Sequence, residues 1–262
     1  MFMYNQIASD QNPKFKLVMQ LLTQPRKRRK SKLFLAEGVR LVEQGIQQGF
    51  KPQFILFTEG LSQRGLQLID SQADTTQVHA VDPALFKKLS DTENSQGILA
   101  VYDEVILALP DQPNFLLIAD NIRDPGNLGT ILRSAEADGA QAVLLSPGCA
   151  DAFNPKVVRA GMGAHFTLPI LSLSWAEIDA FCKNMTIFSA ETTGEIVYWQ
   201  ADFTQPCALL IGSEAFGLSP QAQKLKQQPV SIPMAGQSES LNASVAAGIL
   251  LFEVLRQRHH KG

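Results

Sequence analysis

Between Lys14 and Gln24 the apolar residues Phe15, Val18, Leu21 and Leu22 recur at three- and four-residue intervals, which predicts a helix with one buried face. The apolar run Leu33 to Ala36 then reads as a strand, and Gly38 to Gly49 as an amphipathic helix that stops at glycine. Phe54 to Phe57 and Gly97 to Tyr102 read as further strands, with helical stretches between them, completing a small αβ unit. Asp103 to Asn114 carries two prolines and breaks the periodicity. Beyond it, strand, polar turn and helix alternate. Phe115 to Ala119 is apolar throughout, as expected of a parallel strand covered on both faces. Thr130 to Asp138 reads as a helix, and Ala142 to Leu145, Thr186 to Ala190 and Ala208 to Ile211 as strands. Ser244 to Arg258 is a closing helix with Val245, Ile249, Phe252 and Leu255 along one stripe. The order predicts an α/β fold: a mostly parallel open sheet preceded by a smaller α/β domain. The boundaries fall at 1–104 for the first domain, 105–114 for a linker and 115–262 for the second.

Composition narrows the class. Of 262 residues, 45% are hydrophobic and 18% charged, so the chain can fold on a sizeable core. No run approaches the ~20 apolar residues that span a bilayer, and the first residues lack a charged segment leading into an apolar one. Cys149, Cys182 and Cys207 are scattered, and His79, His165, His259 and His260 show no ligand spacing. Reduced thiols, a cytoplasmic location and no metal site are expected. Residues 1–105 hold 13 Lys/Arg against 11 Asp/Glu, a balance of +2, whereas residues 106–262 hold 10 against 14, a balance of −4. The basic excess concentrates in Arg26, Lys27, Arg28, Arg29, Lys30 and Lys32, six basic residues in seven. This run is either a solvated turn or a grip on an RNA backbone.

Ligands of open parallel sheets bind beyond the carboxyl ends of the strands, and three polar turns fall there. The first, Asp120 to Gly129, leads into a helix presenting Arg133. Its plain reading is that Asp124 or Asn127 caps that helix and Arg133 pairs with Glu136 or Glu214. The second is Gly212 to Ser219, whose glycines mimic a phosphate loop, but Leu218 stands where its lysine is required. The third joins Ile232 to the closing helix, where Ser240 or Asn242 could serve as the N-cap. Gly161-Met162-Gly163 has Phe166 in place of a third glycine, and Gly236 to Ser240 lacks the second glycine of a nucleophile elbow. Dinucleotide enzymes, P-loop NTPases and serine hydrolases are thereby disfavoured.

Taken together the turns resemble the three motifs of the SpoU (TrmH-like) branch of the SPOUT RNA 2′-O-ribose methyltransferases. The first is similar at Asn121, Asp124-Pro125, Asn127, Gly129 and Arg133-Ser134-Ala135. The second is similar at Gly212, Glu214 and Gly217-Leu218-Ser219. The third is similar at Ile232-Pro233-Met234, Gly236, Ser240-Leu241-Asn242, Ser244-Val245-Ala246 and Gly248-Ile249, with Ala243 where valine is common. The first domain resembles the substrate-binding domain often fused to this family, akin to a ribosomal protein that grips kinked RNA. That likeness is carried by Phe34 to Gly38, Leu41-Val42, Leu89 to Thr92 and Gln96 to Ala100.

The resemblance implies an α/β-knot domain with a deep trefoil knot, S-adenosylmethionine as cofactor, and an active site at a homodimer interface. By motif position, Gly212, Ile232, Met234, Ser240 and Leu241 are the expected cofactor contacts. Asn127, Arg133, Glu214 and Asn242 are the expected catalytic residues. The fused domain points to ribosomal RNA, with 23S guanosine favoured. A tRNA ribose, a base nitrogen, or RNA binding by an inactive relative stand as alternatives.

Overall fold

The strands and helices follow from local chemistry that the periodicity caught only in part. A computed structural model describes residues 4–90, 95–214 and 216–259; Asp91, Thr92 and His260, quoted above, lie outside the described residues. The chain divides into two units, one comprising residues up to Val105 together with Phe153–Phe166, the other Ile106–Ala152 with the chain from Thr167 onward.

The first unit starts with β1 (Asn5–Ile7), α1 (Pro13–Thr23), α2 (Pro25–Ser31), β2 (Leu33–Glu37), α3 (Val39–Gln47) and β3 (Phe54–Phe57). It continues with α4 (Gln63–Gln72), β4 (Gln77–Val81), α5 (Pro83–Phe86) and β5 (Ile98–Asp103). Its sheet runs β1-β4-β3-β5-β2, with β5 antiparallel to both neighbours. Phe15, Val18 and Leu21 are buried, on the face that the spacing marked. Gln96, one of the residues carrying the resemblance, accepts the N–H of Val39 at 2.8 Å and caps α3, where Gly38 has no side chain to do so. The segment 153–166 joins this core through Phe153 and Phe166, whose rings lie 5.2 and 5.7 Å from that of Phe34.

The second unit contains β6 (Phe115–Ala119), α6 (Pro125–Asp138) and β7 (Ala142–Leu145). After α7 (Pro155–Gly161), which packs in the first unit, come β8 (Ile170–Ser172), α8 (Trp175–Phe181), β9 (Thr186–Ala190) and β10 (Ile196–Val197). The unit ends with β11 (Cys207–Ile211), β12 (Gln227–Ser231) and α9 (Ala243–His259). Its seven strands run β10-β12-β9-β11-β6-β7-β8, every pairing parallel. The central strands β6, β7 and β11 are buried along their whole length, which is why they read as unbroken apolar runs.

Two helices depart from the expected reading. α6 begins five residues before Thr130, because Asp124 accepts the N–H of Asn127 at 2.8 Å and Pro125 takes the first helical position. A run that looks like a turn is therefore a capped helix start. On α9 the stripe marked by spacing is not the buried one. Val245 and Phe252 are half exposed, at 50% and 51%, whereas Ala243, Ala247, Leu250, Leu251 and Val254 are buried. The helix has two apolar faces, and only one meets the core.

Candidate functional site

Three of the four expected catalytic residues meet at one point. Asn127 occupies the first turn of α6, Glu214 the loop after β11, and Asn242 the residue before α9. Oε1 of Glu214 accepts the side-chain amide of Asn127, that of Asn242 at 3.1 Å, and the N–H of Ala243 at 3.2 Å. The amide of Asn242 also donates to Oδ1 of Asn127 at 3.0 Å. The Glu214 side chain thereby takes the first N–H of α9, at the positive end of the helix dipole.

Asn242 caps α9 and also joins the cluster. Its Oδ1 accepts the N–H of Ser244 at 3.0 Å and that of Val245 at 3.4 Å, which is helix capping. Its amide group points the other way, into the Glu214 cluster. Ser240 is not the cap.

Arg133 stands apart. It is exposed on α6 and, among the described residues, its guanidinium has no hydrogen bond or ion pair. The pairing with Glu136 or Glu214 is not made, and neither Asn127 nor Glu214 orients its guanidinium within this chain, because both are engaged with Asn242.

The five expected cofactor contacts, Gly212, Ile232, Met234, Ser240 and Leu241, all line one cleft of about 470 Å³ at the carboxyl ends of β9, β11 and β12. Gly212 is required there: a Cβ would come within 2.6 Å of the carbonyl oxygen of Gly217. The loop beyond it is closed by paired bonds between Ser213 and Gly217 at 3.0 and 2.9 Å. Volume, apolar walls from Ile211, Ile232 and Leu241, and hydroxyls from Ser213 and Ser240 suit a small polar ligand carrying a flat ring. The cleft is also lined by Ala190, Glu191, Thr192 and Thr193, which sequence reasoning missed. A polar turn directly after a buried strand, in the same crevice, was the signal that could have found them.

The basic run lies on α2, with Lys32 as the left-handed residue that caps its end. Arg26, Arg29, Lys30 and Lys32 are exposed and Lys27 half-exposed. Lys32 also pairs with Glu104 at 3.2 Å. Arg28 differs: it is 3% exposed, and its guanidinium donates to the carbonyl of Leu21 at 2.7 Å, satisfying the end of α1. A buried guanidinium committed to the chain's own carbonyls is not presented to RNA, which corrects the expectation for this residue. The same unit holds a polar cleft of about 620 Å³ whose lining includes Arg40, Arg64 and Lys87. Among the described residues no group of three or more His, Cys, Asp or Glu could hold a metal ion, and no helix is long and apolar enough to cross a membrane.

Residues 114–252 match the SpoU rRNA Methylase family and residues 12–100 the MRM3-like substrate binding domain. The 23S rRNA (guanosine(2553)-2′-O)-methyltransferase RlmP of Bacillus subtilis is 32% identical, over 95% of this chain and 98% of that protein. The 23S rRNA (uridine(2479)-2′-O)-methyltransferase of Streptomyces viridochromogenes is 32% identical, over 95% and 92%. A crystal structure of the SpoU methyltransferase AviRb from that organism, in complex with the cofactor AdoMet, superposes with a TM-score of 0.82 at 31% identity, over 95% of this chain and 100% of that one. The chain belongs to the SpoU rRNA methylase family of S-adenosylmethionine-dependent RNA 2′-O-methyltransferases, on the SPOUT α/β-knot fold with an N-terminal α/β domain.

Proposed function

We propose that the chain methylates a ribose 2′-hydroxyl of ribosomal RNA, a 23S guanosine in the favoured case, as a cytoplasmic homodimer without a metal. The observation that carries this is the Asn127–Glu214–Asn242 cluster set beside a cleft lined by all five expected cofactor contacts. When bound there, S-adenosylmethionine supplies an electrophilic methyl group on a sulfonium. Gly212, Ile232, Met234, Ser240 and Leu241 would hold it.

A ribose hydroxyl is a poor nucleophile at neutral pH, so this chain's residues must place it and carry the charge that develops as its proton leaves. Arg133 serves as a fixed positive charge and a bidentate grip on a phosphate, not as a base, since a guanidinium is not deprotonated in proteins. Asn127, Glu214 and Asn242 hold the start of α6, the loop after β11 and the start of α9 in one register. Arg133 is exposed and lies outside its own chain's cleft, as a site completed by a second copy requires. The uncovered apolar face of α9, with Val245 and Phe252, is a surface that a second copy would bury. The exposed α2 cations and the cleft with Arg40 and Lys87 would grip the RNA backbone, which supplies affinity without reading sequence.

Two relatives of equal identity act on a guanosine and a uridine, so the nucleotide is decided by experiment. Labelled methyl transfer to total RNA from a strain lacking the gene, followed by mapping of methylation-dependent stops, is expected to find one ribose in 23S rRNA. Label in tRNA, label on a base, or no transfer would each overturn the assignment.

A further inference from the structure

Asp120 directly follows β6 and is fully buried, at 0% exposure, and among the described residues it forms no ion pair. Its carboxylate is met by donors from two distant segments. Ser146, just after β7, donates its hydroxyl to Oδ1 at 3.0 Å, and the backbone N–H of Ser219 donates to Oδ2 at 2.6 Å. Ser146 Oγ in turn accepts the N–H of Asn121 at 3.1 Å, where the backbone takes the left-handed conformation, φ +55°. The N–H of Asp120 itself donates to the carbonyl of Ile211 at 2.8 Å, at the exit of β11. One buried carboxylate thus ties together the approach to α6, the exit of β7 and the far end of the 212–219 loop. That loop is already closed on itself at Ser213 and Gly217. What remains open is where the closed loop stands relative to α6, and the Ser219–Asp120 bond sets this.

We propose that Asp120 is a positioning residue for methyl transfer, a strut that brings Glu214 on the loop into register with Asn127 on α6. It does not line the cofactor cleft and acts through Glu214. The inference rests on the proposed reaction only for its activity readout. Two hydrogen-bonded contacts are needed, not the negative charge. In Asp120→Asn the amide oxygen can face the Ser219 N–H, while the amide nitrogen donates to Ser146 Oγ, whose hydroxyl proton is free to turn toward the carbonyl of Pro147, 3.3 Å away. Asp120→Ala strips both contacts and leaves the part-buried N–H of Ser219 without this partner.

The test uses the full chain carrying Asp120→Ala, Asp120→Asn, Glu214→Ala and the Asp120→Ala/Glu214→Ala pair. Hydrogen exchange is read by peptide. Methyl transfer is read from S-adenosylmethionine to ribosomal RNA of a strain lacking the gene. In Asp120→Ala, amides of 213–219 are expected to exchange roughly tenfold faster and kcat to fall roughly tenfold, the loss of one hydrogen bond to a carboxylate. β11 should keep its exchange rates, and Asp120→Asn should restore both quantities to within about threefold. In the Glu214→Ala background, Asp120→Ala should cost little more, whereas general loosening would cost the same factor again. Unchanged exchange at 213–219, failure of Asp120→Asn to restore it, or an equal cost in both backgrounds overturns the strut. Should Asp120→Ala not fold, Ser146→Ala strips one contact alone. Faster exchange at 213–219 is again expected, and wild-type exchange overturns the proposal. If ribosomal RNA accepts no methyl group, the exchange measurements still decide the strut, so the two failures are distinguishable.

Discussion

Asn242 offers the sharpest separation of structure from chemistry, because its two ends do different work. Oδ1 caps α9, and the amide bonds Glu214 at 3.1 Å and Asn127 at 3.0 Å. Asn242→Ser retains a good cap and removes the amide; Asn242→Ala removes both. Losing a cap costs about 1 kcal/mol of stability, so the alanine variant should unfold at a lower temperature and the serine variant close to wild type. Two partly exposed hydrogen bonds, one to a carboxylate, are together worth about 2 kcal/mol. If that appears in the transition state, both variants should lose roughly 30-fold in kcat/KM. Thermal unfolding and labelled methyl transfer to ribosomal RNA measure the two quantities on the same preparations. A serine variant with wild-type turnover would show that Asn242 is only a helix cap and would refute its place in the site. Activity tracking stability across the pair would refute it equally.

Arg133→Lys should keep thermal stability, since the side chain is exposed and unbonded among the described residues, yet lose roughly 100-fold in turnover because lysine keeps the charge and not the fork. Near-normal methylation would contradict that role. Replacing Arg26, Arg29, Lys30 and Lys32 by glutamine should weaken binding of ribosomal RNA and flatten the salt dependence by a slope of about 3, while Arg28→Gln should instead destabilise the fold by about 2 kcal/mol. Filter binding over a salt series and thermal unfolding check the two halves. Asp138 is buried on α6 with no donor at either oxygen among the described residues, and burial pushes its carboxyl up to about 7 against a smaller opposing pull from Arg258. A folded-state value above the unfolded one favours the protonated group, so stability should fall as pH rises from about 4 through about 7 and then level off. Between about pH 5 and pH 8 the loss should be about 1–2 kcal/mol, and Asp138→Asn should abolish it; denaturant unfolding at several pH values tests this.

The sheet of the second unit was legible because its central strands are apolar on both faces, and the Asn127–Glu214–Asn242 cluster with the cleft beside it was legible because its residues fall in three turns. β4, β8, β10 and β12 were not: Gln227–Ser231, one strand in from the sheet edge, carries polar residues and a proline that read as loop. The start of α6 was hidden by Asp124-Pro125-Gly126-Asn127, the same residues a turn would use, until the cap bond is seen. Arg28 and Arg29 are neighbours of identical type, and only the path of α1 ending beside one of them assigns the first to the core and the second to solvent. Likewise, periodicity finds an apolar stripe on α9 but cannot tell which of two apolar faces meets this chain's sheet.

The most direct test is a crystal structure of the full chain grown with S-adenosylmethionine. The donor should lie in the cleft against Gly212, Ile232, Met234, Ser240 and Leu241, with a partner copy covering the α9 face and bringing its arginine 133 toward the methyl group. A donor bound elsewhere, or an assembly that leaves that guanidinium pointing away from the methyl group, would contradict the account.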